Sequence, residues 1–337
     1  MAHLDSSSWP SYAEIDPEYK KVSQFLETAP RSYPLPSDPS RLPAMRVNMM
    51  MMQRKAPLQQ IDRTGVAQTR VWIICRDGHS IPAAVYKPRT PTSGLMAVLF
   101  HGGGFIVGDP EMEAPAAVEL VQNHSATVIS VDYRVAPENP YPQAVNDGLD
   151  ALIWAARNAS SLGADLKKGF LLGGSSAGGN IAAVLSHMAR DTKASPPLTA
   201  IWLNCPLTIG FEAVPEALKK DYNSLEQNAD APVLLNKEGL MTAYSFYKPN
   251  QSSQVFSPLL WESGHQGLPK TQLHVYGLDP LRDDSLLYAR ELAKAGVDTR
   301  VDVYPGVPHG FDFDAPQLQQ AAKFREDRQK AFQWLLG

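Results

Sequence analysis

Two glycine-rich turns in this sequence have the residue types that acyl chemistry at a serine requires. Residues 101–105, His-Gly-Gly-Gly-Phe, follow an apolar run, and three successive glycines let a substrate approach their backbone amides closely. Residues 174–178, Gly-Ser-Ser-Ala-Gly, have the G-x-S-x-G spacing of a nucleophile elbow, a strained strand-to-helix turn that exposes one serine. Ser176 is therefore the candidate nucleophile.

Backbone amides near this serine form the candidate oxyanion hole. We expect the N–H groups of Gly103, Gly104 and Ala177 to face the oxygen on which negative charge develops, where each donor typically contributes about 3 kcal/mol. The glycine spacing of residues 173–178 is also that of a phosphate-binding loop, but Gly179 stands where such a loop needs a lysine. The second turn therefore favours a nucleophile over a phosphate site.

A base and an acid follow two later predicted strands. His309 comes after the strand predicted over residues 298–304, and Asp279 is the first carboxylate after the strand predicted over residues 272–276. Because the C-terminal ends of parallel strands meet at one edge of a sheet, we expect both side chains near Ser176. The chain order Ser, Asp, His is that of α/β-hydrolases.

Other polar groups near these motifs are interpreted as structural. We expect His101 to brace the first glycine turn, because a general base has to approach the serine from the other side. Asp283 and Asp284 fall at the start of the next predicted helix and are expected to cap it. Cys75 and Cys205 are expected to be buried free thiols.

The elements that position these residues alternate between strands and helices from residue 70 onward. Apolar, β-branched runs predict a hairpin over residues 70–75 and 81–87. Further strands are expected over residues 95–100, 126–131, 170–173, 198–204, 272–276 and 298–304, and helices over residues 112–123, 141–158, 180–190, 285–296 and 315–336. The fold class is therefore α/β, with a mostly parallel central sheet flanked by helices and the antiparallel hairpin at one edge.

Two segments depart from this alternation and divide the chain. Residues 1–60, which are rich in proline and methionine, are predicted to be an N-terminal cap arm. Residues 206–262 mix short helical pieces with polar and aromatic residues and are predicted to be a cap insertion. Residues 61–205 and 263–337 are expected to form the α/β-hydrolase catalytic domain.

The substrate site is expected beneath these two segments. The insertion follows a strand at the edge where ligands bind in open α/β sheets. Met49 and Met52 could line the site with flexible apolar surface, although a methionine-rich arm that simply packs on the domain is an equal alternative. Phe105, at the end of the first glycine turn, is a third candidate contact.

Composition and charge exclude several classes of function. The 337 residues carry a formal net charge of −4 and no Lys/Arg-rich run, so nucleic acid is not an expected partner. No apolar run reaches the ~18 residues of a membrane span, and the first residues lack a secretory pattern, so a cytoplasmic location is expected. The histidines have no metal-ligand spacing, and neither a metal nor a cofactor is expected. An edge strand or the last helix could pair two copies as a homodimer.

Over residues 70–315 the sequence resembles the hormone-sensitive-lipase-like, HGGG-type carboxylesterases of the α/β-hydrolase superfamily. The resemblance rests on residues 101–105, 132–138, 141–142, 177–180, 257–259, 279–283 and 309–311, in that order. It implies a helical cap built from the N-terminal arm and an insertion after the sixth strand. Members usually have an acidic residue before the nucleophile, where this chain has Ser175. Plant hormone receptors of similar sequence lack the triad histidine, whereas His309 is present here.

The expected function is hydrolysis of a small-molecule carboxylic ester through a Ser-His-Asp triad and an acyl-enzyme. The resemblance implies a short-acyl ester of a hydrophobic alcohol, such as a secondary metabolite. A thioesterase, an acyltransferase or an amidase would use the same triad and differ in the group transferred or the acceptor. A non-catalytic ligand receptor with this fold is a further alternative.

Overall fold

One sheet of eight strands runs through the described part of the chain. The structure is a computed structural model, and it describes residues 2–28, 38–46, 61–231 and 235–337. The strands are β1 Val66–Ile74, β2 Ser80–Pro88, β3 Met96–Phe100, β4 Thr127–Val131, β5 Phe170–Ser175, β6 Ala200–Asn204, β7 Lys270–Tyr276 and β8 Thr299–Tyr304. Their order is β1-β2-β4-β3-β5-β6-β7-β8; β1 with β2 and β2 with β4 are antiparallel, and the other neighbours are parallel. The predicted sheet, with its hairpin at one edge, is confirmed.

Helices connect these strands. The α-helices are α1 Pro17–Thr28, α2 Ala114–His124, α3 Gln143–Leu162, α4 Ala177–Asp191, α5 Glu216–Lys219, α6 Ser224–Gln227, α7 Lys237–Tyr247, α8 Arg282–Lys294, α9 Phe311–Asp314 and α10 Gln319–Leu336. The prediction of a single final helix over residues 315–336 is wrong about where the helix begins, because the helix begins at Gln319. Ala315 leaves the helical region, with φ −135° and ψ 58°, because Pro316 disfavours helical backbone in the residue before it. No helix of the described ranges has the length and apolarity to span a bilayer.

Side chains of the sheet alternate between two apolar layers. Along β3, Val98 and Phe100 belong to the cluster that includes the buried faces of α3, α4 and α8. Ala97 and Leu99, which point the other way, belong to the cluster that includes α2 and the end of α10. Both faces of the central strands are therefore covered, as expected for a sheet flanked by helices.

The N-terminal segment packs against the loops that follow β7 and β8. Trp9 is buried, and the backbone oxygen of Tyr12 accepts a hydrogen bond from the amide of Gly306 at 2.8 Å. A Cβ on Gly277 would lie 2.0 Å from the same oxygen, so the two backbones approach as closely as glycine allows. The N-terminal segment therefore contacts both loops.

The described residues between 206 and 262 lie over the C-terminal edge of the sheet. The ring of Tyr247, at the end of α7, stacks on Phe105 with centroids 4.1 Å apart. Ala243, one turn earlier, has its Cβ 3.2 Å from where a side chain on Gly104 would begin. Helix α7 therefore packs directly on the first glycine turn.

Candidate active site

Ser176 occupies a strained turn between β5 and α4. Its backbone has φ 54° and ψ −117°, a combination that non-glycine residues adopt only where the surrounding structure enforces it. The flanking glycines are required because a Cβ would lie 2.5 Å from the backbone oxygen of Phe100 at Gly174 and 2.0 Å at Gly178. The Ser176 amide also donates to the backbone oxygen of Asn204 at 2.8 Å. Close packing on β3 and β6 thus holds the serine at the tip of the turn.

The structure brings the predicted serine, histidine and aspartate together. Nε2 of His309 lies 3.0 Å from Oγ of Ser176, and Nδ1 of His309 lies 2.6 Å from Oδ2 of Asp279. The other carboxylate oxygen of Asp279 accepts a hydrogen bond from the Leu281 amide at 2.8 Å. The three side chains are buried, Asp279 completely. The chain of hydrogen bonds can move a proton from the serine to the imidazole.

The charge state of His309 depends on two opposing effects. Burial disfavours the imidazolium, but the Asp279 carboxylate more than offsets this, and the pKa of His309 is raised well above its usual 6.5. The same ion pair fixes the orientation of the ring. His309 is therefore a strong base that is held against the serine.

Residues 102–105 of the first glycine turn line the same cavity as Ser176. The carbonyl of Gly103 accepts hydrogen bonds from the amides of Ile106 and Val107 at 3.1 and 3.0 Å, which curls the turn. Gly103 and Gly104 have positive φ values of 115° and 62°, and their own amides donate to no backbone acceptor of the described residues. Ala177 opens α4, where first-turn amides lack an intrahelical acceptor. These three predicted donors line one cavity with Ser176.

His101 is buried beside this turn and is not among the described residues that line the cavity with Ser176. Its ring is fully buried and stacks on Tyr133, with centroids 4.2 Å apart. The hydroxyl of Tyr133 donates to the backbone oxygen of His101 at 2.8 Å. Burial lowers the pKa of His101 to about 4, so the ring is neutral. This environment agrees with the predicted bracing role.

The cavity over the serine is mostly apolar. Besides the residues above, its described lining contains Gly102, Phe105, Val107, Met112, Ser175, Asn204, Cys205, Leu207, Leu235, Leu240, Ala243, Tyr244, Leu281, Gly310, Asp312 and Phe313. Phe105 was among the predicted contacts. Met49 and Met52 lie outside the described residues. The lining from α7 was not predicted residue by residue, although the amphipathic spacing of Leu240 and Tyr244 could have indicated it.

Asp283 and Asp284 do not cap their own helix, and that expectation is wrong. The carboxylate of Asp283 accepts hydrogen bonds from the amides of Asn223 and Ser224, both at 2.7 Å, at the start of α6. Asp284 accepts from the amides of residues 208–209 at 3.3 Å. Both carboxylates therefore tie the insertion to the loop that carries Asp279.

A buried carboxyl lies beside the unusual residue at position 175. The Ser175 hydroxyl is hydrogen-bonded to Glu113, and its oxygen accepts from Nδ2 of Asn204 at 3.3 Å. Glu113 is almost completely buried, and burial raises its pKa to about 8. A buried carboxyl from another segment of the chain thus lies beside Ser175.

Cys205, Asp279 and His309 are the one group of described residues whose donor atoms lie close enough to share a metal ion. Both carboxylate oxygens of Asp279 already accept hydrogen bonds, one of them from His309. Burial raises the pKa of Cys205 to about 11, so its sulfur carries a proton. These donors fit proton transfer better than metal coordination. Both cysteines are buried free thiols, as predicted.

Comparison with known proteins identifies the family. A family model described as the alpha/beta hydrolase fold matches residues 97–313. The chain belongs to the α/β-hydrolases. This hydrolase is 36% identical to the carboxylesterase NlhH of Mycobacterium tuberculosis, over 68% of this chain and 71% of that protein. It is 31% identical to the versiconal hemiacetal acetate esterase of Dothistroma septosporum, over 77% and 80%.

A solved structure matches nearly the whole hydrolase. The crystal structure of vibralactone cyclase superposes with a TM-score of 0.84 at 31% identity, over 97% of this chain and 96% of that one. The family match and the named esterases confirm the predicted hormone-sensitive-lipase-like carboxylesterase family. The chain is a carboxylic-ester hydrolase.

Proposed function

We propose that this hydrolase cleaves short-acyl esters of a hydrophobic alcohol through an acyl-enzyme on Ser176. The observation that carries the proposal is the continuous hydrogen-bonded chain from Ser176 through His309 to Asp279 at the base of an apolar cavity. A receptor that only binds its ligand would not need these hydrogen bonds between the three side chains.

In the proposed mechanism, His309 takes the proton of Ser176 while Oγ forms a bond to the ester carbonyl carbon. The negative oxygen of the tetrahedral intermediate is stabilised by the amides of Gly103, Gly104 and Ala177. The bond to the alkoxy oxygen then breaks, and His309 gives its proton to the leaving alcohol. Water attacks the acyl-enzyme by the same proton route and releases the acid. Asp279 stabilises the charged imidazole in both steps.

The cavity supports the choice of substrate. The part of its lining that comes from the insertion is apolar, which suits a hydrophobic alcohol. The glycine turn has no side chains, so the ester carbonyl can come close to its backbone. The relative named for an acetate ester supports a short acyl group. We infer that a secondary metabolite carrying such an ester fits these requirements.

We also propose the division of the chain that the sequence predicted. Residues 206–262 supply lining at α7 and are proposed to be a cap, together with residues 1–60. Residues 61–205 and 263–337 carry the sheet and the triad. A cytoplasmic location and a homodimer stay predictions.

The nucleophile is tested with p-nitrophenyl esters of increasing acyl length. Ser176→Ala should lower kcat by about 10⁶-fold, because the covalent route is lost. The control Ser161→Ala, at an exposed position of α3, should retain turnover. Near-normal hydrolysis by Ser176→Ala would contradict the proposal, and a longest-acyl preference would contradict the short acyl group.

A second candidate is acyl transfer to an acceptor other than water. The structural neighbour that matches 97% of the chain is named a cyclase rather than an esterase, which supports this alternative. A thioesterase, an acyltransferase or an amidase would share the acyl-enzyme. Product analysis with added alcohols, amines and thioester substrates separates these reactions, because only an acyltransferase forms a new ester faster than free acid.

A further inference from the structure

Asp312 places a carboxyl group in the wall of an otherwise apolar cavity. It lies in α9, three residues after His309, and is half-buried. Of the described residues that line the cavity with Ser176, it alone carries a carboxyl group. The rest of the lining is dominated by glycine, aliphatic and aromatic side chains. The cavity therefore has one strong hydrogen-bond acceptor that the proposed mechanism does not use.

The protein satisfies this carboxyl only weakly. The hydroxyl of Tyr276 is 3.4 Å from Oδ1 of Asp312, but it is 2.6 Å from Oδ1 of Asn204. A hydroxyl has one proton, so the shorter bond to Asn204 takes it. The carboxyl is also hydrogen-bonded to the backbone amide of Asp312 itself, and the charges of Arg328 and His309 act on it. In the described ranges no Lys or Arg forms an ion pair with it.

A carboxyl with only weak protein partners in a mostly apolar wall favours a ligand that supplies a further donor. Burial raises the pKa of Asp312 by more than its hydrogen bonds and the nearby positive charges lower it. A cavity for a purely hydrocarbon ester would be better lined by an aliphatic residue. The side chain therefore favours a ligand with a polar hydrogen.

We propose that Asp312 is a specificity-determining residue that accepts a hydrogen bond from a hydroxyl or ammonium group on the ester substrate. This inference rests on the proposed function and narrows its substrate class to apolar esters with one hydrogen-bond donor. A site built to accept such a bond discriminates strongly against the analogue that lacks the donor.

Two matched ester series test this proposal. The alcohol series compares the acetates of 1-hexanol, 1,6-hexanediol and 6-aminohexan-1-ol. The acyl series compares p-nitrophenyl butanoate with its 3-hydroxy and 3-amino derivatives. In at least one series, the wild-type kcat/KM for a donor-bearing ester should exceed that of the hydrocarbon ester by about 10-fold or more, the value of one hydrogen bond to a charged group.

Substitutions at position 312 should change this preference. Asp312→Leu should raise kcat/KM for the hydrocarbon ester and lower it for the donor-bearing esters. Asp312→Asn keeps the size and one acceptor oxygen but no charge, so it should lower ammonium preference more than hydroxyl preference. If Asp312→Leu does not fold, Asp312→Asn alone tests the proposal. Asp314→Asn is the matched control, because Asp314 does not line the cavity, and it should keep the wild-type ratio.

The outcomes separate the two proposals. If hydrocarbon esters are hydrolysed in a Ser176-dependent way but neither series shows a donor preference, the assignment of Asp312 is overturned and the esterase mechanism stands. A preference that survives in Asp312→Leu also overturns it. If Ser176→Ala retains full activity on every ester, the proposed mechanism fails and the inference about Asp312 fails with it.

Discussion

Asp16 and Gly306, which are far apart in the sequence, are joined by a hydrogen bond from the Asp16 amide to the Gly306 carbonyl at 3.0 Å. The Gly306 amide in turn donates to Tyr12. Gly306 lies at the start of the loop that carries His309. The neighbouring loop, which carries Asp279, contacts the same N-terminal segment through Gly277. The N-terminal segment therefore holds the loops of the proposed acid and base in register.

Gly306→Ala should undock this segment. A Cβ on Gly306 would lie 2.3 Å from the Asp16 amide nitrogen, and backbone atoms cannot move aside cheaply. We expect kcat for p-nitrophenyl acetate to fall and tryptic cleavage near Lys20 to accelerate. Gly296→Ala is the control, because Gly296 has a similar positive φ of 77° but nothing within 4 Å of its Cβ position. Equal kcat values for the two variants would contradict this role.

Arg46 should position the first glycine turn. Its guanidinium donates to the carbonyl of Ile106 at 2.8 Å and forms an ion pair with Glu138. The Ile106 amide donates to the Gly103 carbonyl, so Arg46 is two hydrogen bonds from a proposed oxyanion donor. We expect Arg46→Ala to lower kcat by about 10-fold or more with little change in KM, because misplaced amides weaken transition-state stabilisation.

The matched control for this substitution is Arg41→Ala, since Arg41 is exposed in the same short segment. Its kcat should stay close to that of the wild type. Arg46→Lys should recover little activity, because an ammonium cannot reproduce the planar fork of the guanidinium. If Arg46→Ala changed KM and left kcat unchanged, Arg46 would act in substrate binding, and its proposed positioning role would be contradicted.

The pH dependence should follow His309. Only the neutral imidazole can act as the base, and its pKa is raised well above 6.5 because Asp279 outweighs the effect of burial. We therefore expect kcat/KM to keep rising above pH 7. Asp279→Asn removes the carboxylate, so the acidic limb should move to lower pH and kcat should fall by about 10⁴-fold.

Stability should change in the opposite direction over this range. A folded-state pKa above the unfolded value means that the His309–Asp279 pair stabilises the protein fully below about pH 6.5 and progressively less as pH rises through the folded-state pKa. Urea unfolding of the wild type and Asp279→Asn between pH 6 and 9 measures this difference. A constant difference in the free energy of unfolding would contradict the raised pKa.

Glu113 should make the protein less stable at high pH. Burial raises its pKa from 4.5 to about 8, so between these values the folded chain keeps a proton that the unfolded chain releases. Between the unfolded-state and folded-state pKa values, the free energy of unfolding falls by at most about 1.4 kcal/mol for each pH unit. Glu113→Gln should flatten the decline in the free energy of unfolding. Glu216→Gln, at an exposed side chain, should keep the wild-type slope.

The close approach of the serine, aspartate and histidine could be predicted because each has a local signal. Ser176 lies between glycines in a strand-to-helix turn, and Asp279 and His309 lie in the loops that follow β7 and β8. Parallel strands then bring the three loops to one edge, whatever the surrounding side chains are. Short-range pattern and sheet topology are sufficient for this part of the site.

Glu113 and Asp312 have no such signal. Their positions beside Ser175 and the cavity depend on how the turn before α2 and the short helix α9 pack on the rest of the protein, which periodicity does not specify. Asp283 and Asp284 show the same limit of sequence patterns. Two acids at the start of a helix are typical caps, yet their hydrogen-bond partners here are amides of the insertion, which is remote in sequence. Contacts between segments that are remote in sequence decide these roles.

The contact between the N-terminal segment and the last third of the chain has a consequence for synthesis on the ribosome. Glu18 accepts a hydrogen bond from the amide of Gln319, 301 positions later, at 2.8 Å. The sheet up to β6 and the serine elbow can form early, but the two loops that this segment braces emerge almost last. Ser176 is therefore synthesised well before Asp279 and His309, and the three side chains can come together only when translation is nearly finished.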